Sequence, residues 1–130
     1  MIKNALAHGQ TELNAFAAVA VQAAYTYGAP WLEELLAYIS KNMDYCLEQL
    51  NAIPGIKVKK PAGTYLMWID YRNTHLSEEE IMNRLLHIGK VALEPGTKYG
   101  EAGRGFLRLN AASPIALIQE GIERIQKALQ

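Results

Sequence analysis

Apolar residues recur at every third or fourth position over three parts of the chain, and this period predicts three amphipathic helices. These helices cover roughly residues 30–52, 77–88 and 114–129. The middle helix opens on the sequence Ser77-Glu78-Glu79-Glu80, which forms a capping box and favours a helix start. Its inner positions are expected to be Ile81, Leu85 and Ile88.

Residues 12–27 show a different pattern, because they are apolar on nearly every side. We predict a helix here, with Thr11 as its cap and Gly28 at its end. A helix that is apolar all round is typical of a segment buried in a larger body or in an interface. This helix therefore fits poorly into a small independent domain.

Alternating side chains predict strands over residues 56–60 and 64–71. Residues 91–114 indicate a short strand, a glycine-rich loop, a second strand and a helix start. The strand 64–71 is apolar on both faces, so one face should pack on helices and the other on a domain, a ligand or a partner. The order α-α-β-β-α-β-β-α predicts the α+β class, with a small, mainly antiparallel sheet covered by helices on one face.

Arg108 lies in the middle of an otherwise apolar strand. Alternation places Phe106, Arg108 and Asn110 on one face of that strand. A guanidinium there reaches an acid of the protein, reaches solvent, or waits for an anionic ligand. A salt-bridged or surface arginine is the more common outcome. The glycines of the neighbouring loop favour a ligand, because they let the backbone approach a bound group.

Composition excludes several classes of function. The 130 residues contain thirteen basic and thirteen acidic side chains, so the formal charge of zero argues against a nucleic-acid or anionic-membrane surface. No apolar run approaches the ~18 residues of a membrane span, and we see no signal peptide, so we expect a cytoplasmic protein. The single cysteine, Cys46, is expected to be a buried and inert thiol, and the histidines lack metal-ligand spacing.

Five motifs in order resemble the class I/II aminotransferases, and most closely the branch that contains cystathionine β-lyase-type C–S lyases. The resemblance covers nearly the whole chain. The motifs are Asn14-x-Phe16-Ala17, Ala23-Ala24-Tyr25-x-x-Gly28-x-x-Trp31-Leu32, Pro61-x-Gly63-Thr64-Tyr65-Leu66-x-Trp68, Pro95-Gly96-x-x-Tyr99-Gly100 and Phe106-x-Arg108-Leu109-Asn110-x-Ala112.

The resemblance implies a pyridoxal-phosphate enzyme of the aspartate aminotransferase fold, of which this chain is the C-terminal third. Residues 1–28 would be the end of the large domain together with an interface helix, and residues 29–130 the C-terminal small domain. The cofactor lysine belongs to the large domain; Lys3 lacks its sequence context. We therefore expect the fragment alone to be inactive. The resemblance also implies a homodimer, with residues 8–14 near the partner's active site.

The resemblance also implies roles for four residues of this chain in binding an amino-acid substrate. Arg108 corresponds to the arginine that grips the substrate α-carboxylate, and Asn110 either supports that arginine or is a plain structural asparagine. Gly63 and Tyr65 correspond to a turn and strand near the substrate, although core packing is the stronger expectation for Tyr65. No catalytic, cofactor-binding or metal-binding residue is assigned to this chain.

Two alternatives to an enzyme fragment remain open from the sequence. One is a free-standing regulatory module that binds an amino acid, and the other is a structural dimerisation domain. The apolar helix 12–27 favours the enzyme fragment, because an independent module is not expected to open with such a segment. Lyase and aminotransferase are not distinguished, since the large domain contributes much of the pocket that decides between them.

Overall fold

The computed structural model describes residues 14–130, and the predicted cap at Thr11 lies outside these residues. The chain divides into two compact units between Leu36 and Ala37. This division falls within the second helix, C-terminal to the domain boundary expected after residue 28. The boundary at residue 28 stays a prediction.

In the first unit, helix α1 spans Ala15–Tyr27. Asn14 caps it, because its side-chain oxygen accepts a hydrogen bond from the Ala17 N–H at 2.8 Å. The predicted end at Gly28 is confirmed: the Gly28 N–H donates to the Ala24 carbonyl at 2.8 Å, and the next helix begins directly after it. No residue of α1 is buried.

Helix α2 spans Ala29–Asn51 and leads into the second unit, where its buried positions begin at Ile39. The buried Asn42 donates from its amide nitrogen to the carbonyls of Ala111 and Ser113, at 3.0 and 2.8 Å. A buried amide is tolerated because it is paired in this way. The remaining elements are β1 Lys57–Val58, β2 Leu66–Asp70, α3 Glu78–Arg84, β3 Glu94–Pro95, β4 Phe106–Asn110 and α4 Ile115–Leu129.

The four strands form one sheet in the order β1-β2-β4-β3, and every neighbouring pair is antiparallel. The α+β class and the antiparallel sheet are confirmed. The strands are shorter than predicted. β2 begins at Leu66 rather than at residue 64, because Thr64 has a left-handed φ of 65° that does not continue a strand.

In the second unit, the core lies between one face of the sheet and the buried residues of α3, α4 and the part of α2 that begins at Ile39. On that face the side chains of β2 and β4 are buried, whereas Trp68 on the opposite face is 39% exposed. The prediction that Tyr65 packs in the core is wrong, because this side chain lies before β2 and is 43% exposed. The main buried residues are Met67, Ile69, Ile81, Leu85, Leu107, Leu109, Ile118, Ile122 and Ile125.

The predicted capping box at the start of α3 is confirmed, since Ser77 and Glu80 exchange side-chain and backbone hydrogen bonds. The helix ends differently from the prediction. A π-helical turn spans Leu85–Gly89, and its wider winding moves Ile88 off the buried stripe, so that Ile88 is 50% exposed. Among residues 14–130, no helix has the length and apolar content needed to cross a bilayer.

Candidate functional site

Arg108 stands at the centre of the open face of the sheet. In the antiparallel register it lies opposite Trp68 on β2 and opposite Glu94 on β3. Directly opposed residues present their side chains on the same face, so these three groups are neighbours. The flanking residues Leu107 and Leu109 are buried on the other face, which confirms the predicted alternation along β4.

The structure pairs Arg108 with an acid of the same chain. The Arg108 Nη2 group donates to Glu94 Oε2, and the Arg108 and Glu94 side chains are 25% and 36% exposed. Glu94 also accepts from Lys98 Nζ and from the Tyr99 hydroxyl, each at 2.5 Å. The Arg108 guanidinium carbon lies 4.4 Å from the centre of the Tyr99 ring. We call Glu94, Lys98, Tyr99 and Arg108 the arginine cluster.

The charges of the arginine cluster follow from these contacts. Hydrogen bonds from Lys98, then from Tyr99 and Arg108, lower the pKa of Glu94 from 4.5 to about 2. The hydrogen bond to Glu94 raises the pKa of Lys98. Near neutral pH, Glu94 is therefore negative and Lys98 is positive, and the guanidinium of Arg108 adds a permanent positive charge. The cluster carries one net positive charge, which a single carboxylate would neutralise.

A cleft of about 400 Å³ adjoins the arginine cluster. The polar residues of its wall are Glu94, Arg108, Asn110 and Ser113, and apolar residues of β2, β4, α4 and the segment 91–93 form the rest. The structure thus brings the predicted residues Arg108 and Asn110 to one cleft. The Asn110 side-chain oxygen accepts from the Ala112 N–H at 2.8 Å. Within residues 14–130, Asn110 makes no hydrogen bond to Arg108, so this part of the structure fits the structural role of Asn110.

Gly63 and Tyr65 lie on the turn that leads into β2. The Tyr65 carbonyl accepts from the Ala111 N–H at 2.9 Å, which places Tyr65 beside the end of β4. A Cβ atom built on Gly63 would meet no atom within 4 Å. Gly63 is therefore not required by packing within the described part of the chain.

The loop that carries Lys98 and Tyr99 is held by a contact between two glycines. The loop forms two short 3₁₀ turns, Gly96–Tyr99 and Glu101–Gly103. A Cβ atom on Gly96 would lie 2.1 Å from the Gly103 carbonyl oxygen, and one on Gly103 would lie 2.0 Å from that of Gly96. Only glycine permits this approach, which fixes the turn beside Arg108.

Two other chemistries find no support in the described residues. Within residues 14–130, no group of three histidine, cysteine, aspartate or glutamate side chains is arranged to hold a metal ion. Cys46 is buried, and burial raises the pKa of its thiol to about 11. The thiol is therefore protonated near neutral pH, and the prediction that Cys46 is buried is confirmed.

Residues 2–125 match the family of class I and II aminotransferases, and the chain belongs to this family. Cystathionine β-lyase PatB of Bacillus subtilis (strain 168) is 49% identical over 123 residues, which cover 94% of this chain and 32% of that protein. Protein MalY of Escherichia coli (strain K12) is 38% identical over 109 residues, and the match covers 83% of this chain and 28% of that protein. The resemblance stated from the motifs is confirmed.

Solved structures agree with this assignment. Cystalysin from Treponema denticola, which contains pyridoxal 5'-phosphate, has a TM-score of 0.89 at 30% identity, covering 98% of this chain and 32% of its own. The pyridoxal-phosphate-bound C–S lyase from Staphylococcus hominis has a TM-score of 0.82 at 28% identity, covering 95% and 33%. The family is therefore one of pyridoxal-phosphate enzymes, and this chain spans about a third of the length of these relatives.

Proposed function

We propose that this chain is the C-terminal part of a pyridoxal-phosphate enzyme that acts on amino acids, and that Arg108 binds the substrate α-carboxylate. The observation that carries the proposal is the arginine cluster, with one net positive charge beside a cleft. The names of the relatives favour a C–S lyase of the cystathionine β-lyase type, with an aminotransferase as the second candidate.

The geometry of Arg108 supports binding of a carboxylate. A guanidinium has five N–H donors, and within residues 14–130 the hydrogen bond of Arg108 is the one from Nη2 to Glu94. The remaining donors are available for a two-point contact with a carboxylate, which fixes orientation as well as charge. Orientation matters here because the bond to be broken at the substrate Cα must be aligned with the reacting group.

The other predicted residues take lesser roles in this proposal. Asn110 lines the same cleft, and its side-chain oxygen accepts from the Ala112 N–H. Gly63 leaves open space before β2, which suits the close approach of a substrate. Tyr65 presents a half-exposed ring beside the end of β4, and we assign it a substrate contact rather than a place in the core.

Lys98, the lysine of the arginine cluster, does not suit the role of the cofactor lysine. An amine that forms a Schiff base must lose its proton, whereas the contact with Glu94 raises the pKa of Lys98. We therefore assign no cofactor-binding residue within residues 14–130, and the role that we propose for these residues is limited to the substrate. When bound to the parent enzyme, the cofactor would supply the electron-withdrawing chemistry.

The test uses the parent enzyme loaded with pyridoxal phosphate and given L-cystathionine. Cleavage of the C–S bond splits L-cystathionine into two fragments. One fragment leaves as a free thiol, and the other is released as an α-keto acid and ammonia, so one thiol forms for each α-keto acid. Transfer of the amino group releases an α-keto acid without a thiol. We expect thiol and α-keto acid in equal amounts, measured with a thiol reagent and a keto-acid assay. Neither product from L-cystathionine, and no amino transfer from L-aspartate to 2-oxoglutarate, would reject the proposed function.

We also propose that the isolated chain associates through α1. Its apolar side chains are uncovered, with Phe16 and Tyr25 89% and 91% exposed, and large apolar patches are rare on monomers. Light scattering over a concentration series should show a dimer for the chain and a monomer for Phe16→Gln/Tyr25→Gln. Leu117→Gln, at an exposed apolar position of α4, is the control and should remain dimeric. A chain that stays monomeric at high concentration contradicts this proposal.

A further inference from the structure

Glu94 makes more contacts than an ordinary ion-pair partner of an arginine. Its Oε1 atom accepts from Lys98, and its Oε2 atom accepts from Tyr99 and from Arg108. Both carboxylate oxygens are therefore engaged by groups of the same chain. The backbone holds the acid in place as well, because Glu94 lies in β3 directly opposite Arg108 in β4.

Lys98 offsets the negative charge that Glu94 brings next to Arg108. If Glu94 met Arg108 alone, the two charges would cancel and a substrate carboxylate would have to displace the acid. Lys98 provides a second cation on the same carboxylate, at 2.5 Å. The positive charge that attracts a ligand is thus retained while Glu94 keeps its contact with the guanidinium.

The orientation of the guanidinium is restrained from two directions. Glu94 holds one of its terminal nitrogens, and the Tyr99 ring lies against it with 4.4 Å between the guanidinium carbon and the ring centre. Tyr99 is in turn packed edge-on against Trp68, with 5.6 Å between ring centres. The guanidinium of Arg108 thus has Glu94 at its edge and the Tyr99 ring on its face, and these two contacts leave it little freedom to rotate.

We propose that Glu94 is a positioning residue for Arg108. It fixes one terminal nitrogen of the guanidinium so that the remaining donors meet the substrate α-carboxylate, while Lys98 keeps the site net positive. This inference rests on the proposed function of Arg108. Removal of Glu94 should therefore weaken the binding of an anion although it makes the site more positive.

The same loop contains a matched control. Glu101 and Arg104 form a two-point ion pair, with contacts of 2.6 and 3.1 Å. Their side chains are 78% and 71% exposed, and neither residue lines the cleft. Glu101→Gln therefore removes an acid from the loop without touching Arg108.

The first measurement uses the 130-residue chain and needs no substrate. Nitrogen NMR of the arginine side chains reports how fast the Arg108 guanidinium rotates about its Nε–Cζ bond. We expect rotation to be at least tenfold faster in Glu94→Ala than in the unsubstituted chain, and unchanged within twofold in Glu101→Gln. Equal rotation rates in Glu94→Ala and the unsubstituted chain would overturn the proposal.

The second measurement uses the loaded parent enzyme with L-cystathionine as the probe. In Glu94→Ala we expect KM to rise about tenfold, with kcat changed less than threefold. Glu94→Gln keeps an acceptor oxygen and should recover most of that loss. If Glu94→Ala fails to fold, Glu94→Thr is the test variant, because threonine suits a strand but lacks the carboxylate, and it should raise KM as alanine does. Lys98→Met should also raise KM, and by less when Glu94 is already alanine, because Lys98 then no longer has the charge of Glu94 to offset.

The outcomes separate this inference from the proposed function. A lower KM in Glu94→Ala would show that Glu94 competes with the substrate, and would overturn the positioning role. If Arg108→Ala raises KM while Glu94→Ala leaves it unchanged, the positioning role alone fails. If Arg108→Ala itself leaves kcat/KM unchanged, the proposed role of Arg108 in binding the substrate fails.

Discussion

We expect Arg108→Ala to lower kcat/KM of the parent enzyme for its proposed amino-acid substrates by roughly thirty- to a thousandfold. The loss corresponds to about 2–4 kcal/mol of transition-state binding, the expected contribution of a charge-assisted two-point contact in a partly enclosed site. Affinity for the cofactor should change little, because no residue of the arginine cluster is assigned to it. Arg108→Lys should restore little activity, since an ammonium group does not reproduce the planar fork.

Paired substrates make this test specific for the carboxylate. The unsubstituted enzyme should prefer an α-amino acid to its α-amide by a large factor, and Arg108→Ala should remove most of that preference. Arg104→Ala, which removes an exposed arginine of the same loop, is the control and should keep the preference. An alanine variant at position 108 with unchanged kcat/KM rejects the role of this residue.

Gly96→Ala should destabilise the fold by about 1–3 kcal/mol, because the added methyl group has no space. Its Cβ would lie 2.1 Å from the Gly103 carbonyl oxygen and 2.8 Å from that of Phe106. Both obstacles are backbone atoms, so the loop and the start of β4 must move. Urea unfolding of the chain, followed by circular dichroism, measures the change in the free energy of unfolding.

Gly121→Ala is the control for this experiment. Gly121 lies within α4, and a Cβ atom there would meet no atom within 4 Å. Alanine favours a helix over glycine by about 1 kcal/mol, so this variant should be more stable than the unsubstituted chain. Equal urea midpoints for Gly96→Ala and the unsubstituted chain would show that the loop accommodates the methyl group.

The helices and the class of fold could be predicted because they depend on local periodicity. The stripe of α4 and the capping box of α3 follow from residues within a few turns of each other, and both are confirmed. Strand lengths and the π-helical turn depend on backbone conformations that the pattern does not encode. Thr64, for example, takes a left-handed conformation although threonine favours strands.

The partner of Arg108 could not be predicted for a related reason. Alternation along β4 correctly placed Arg108 and Asn110 on one face, but it does not say which acid faces them. That depends on the register between β3 and β4, which the two 3₁₀ turns of the intervening loop determine. The sequence does show an acid, Glu94, just before that loop. Its pairing with Arg108 follows only once the register is known.

The outer strands of the sheet limit how the protein can aggregate. In the order β1-β2-β4-β3, the outermost strands β1 and β3 each have only two residues. One residue of β3 is Pro95, which has no N–H to offer an incoming strand. Short outer strands with few free donors are a poor template for pairing with another chain. Extension of the sheet by another molecule is therefore disfavoured at both β1 and β3. Such extension is the first step toward a cross-β fibre.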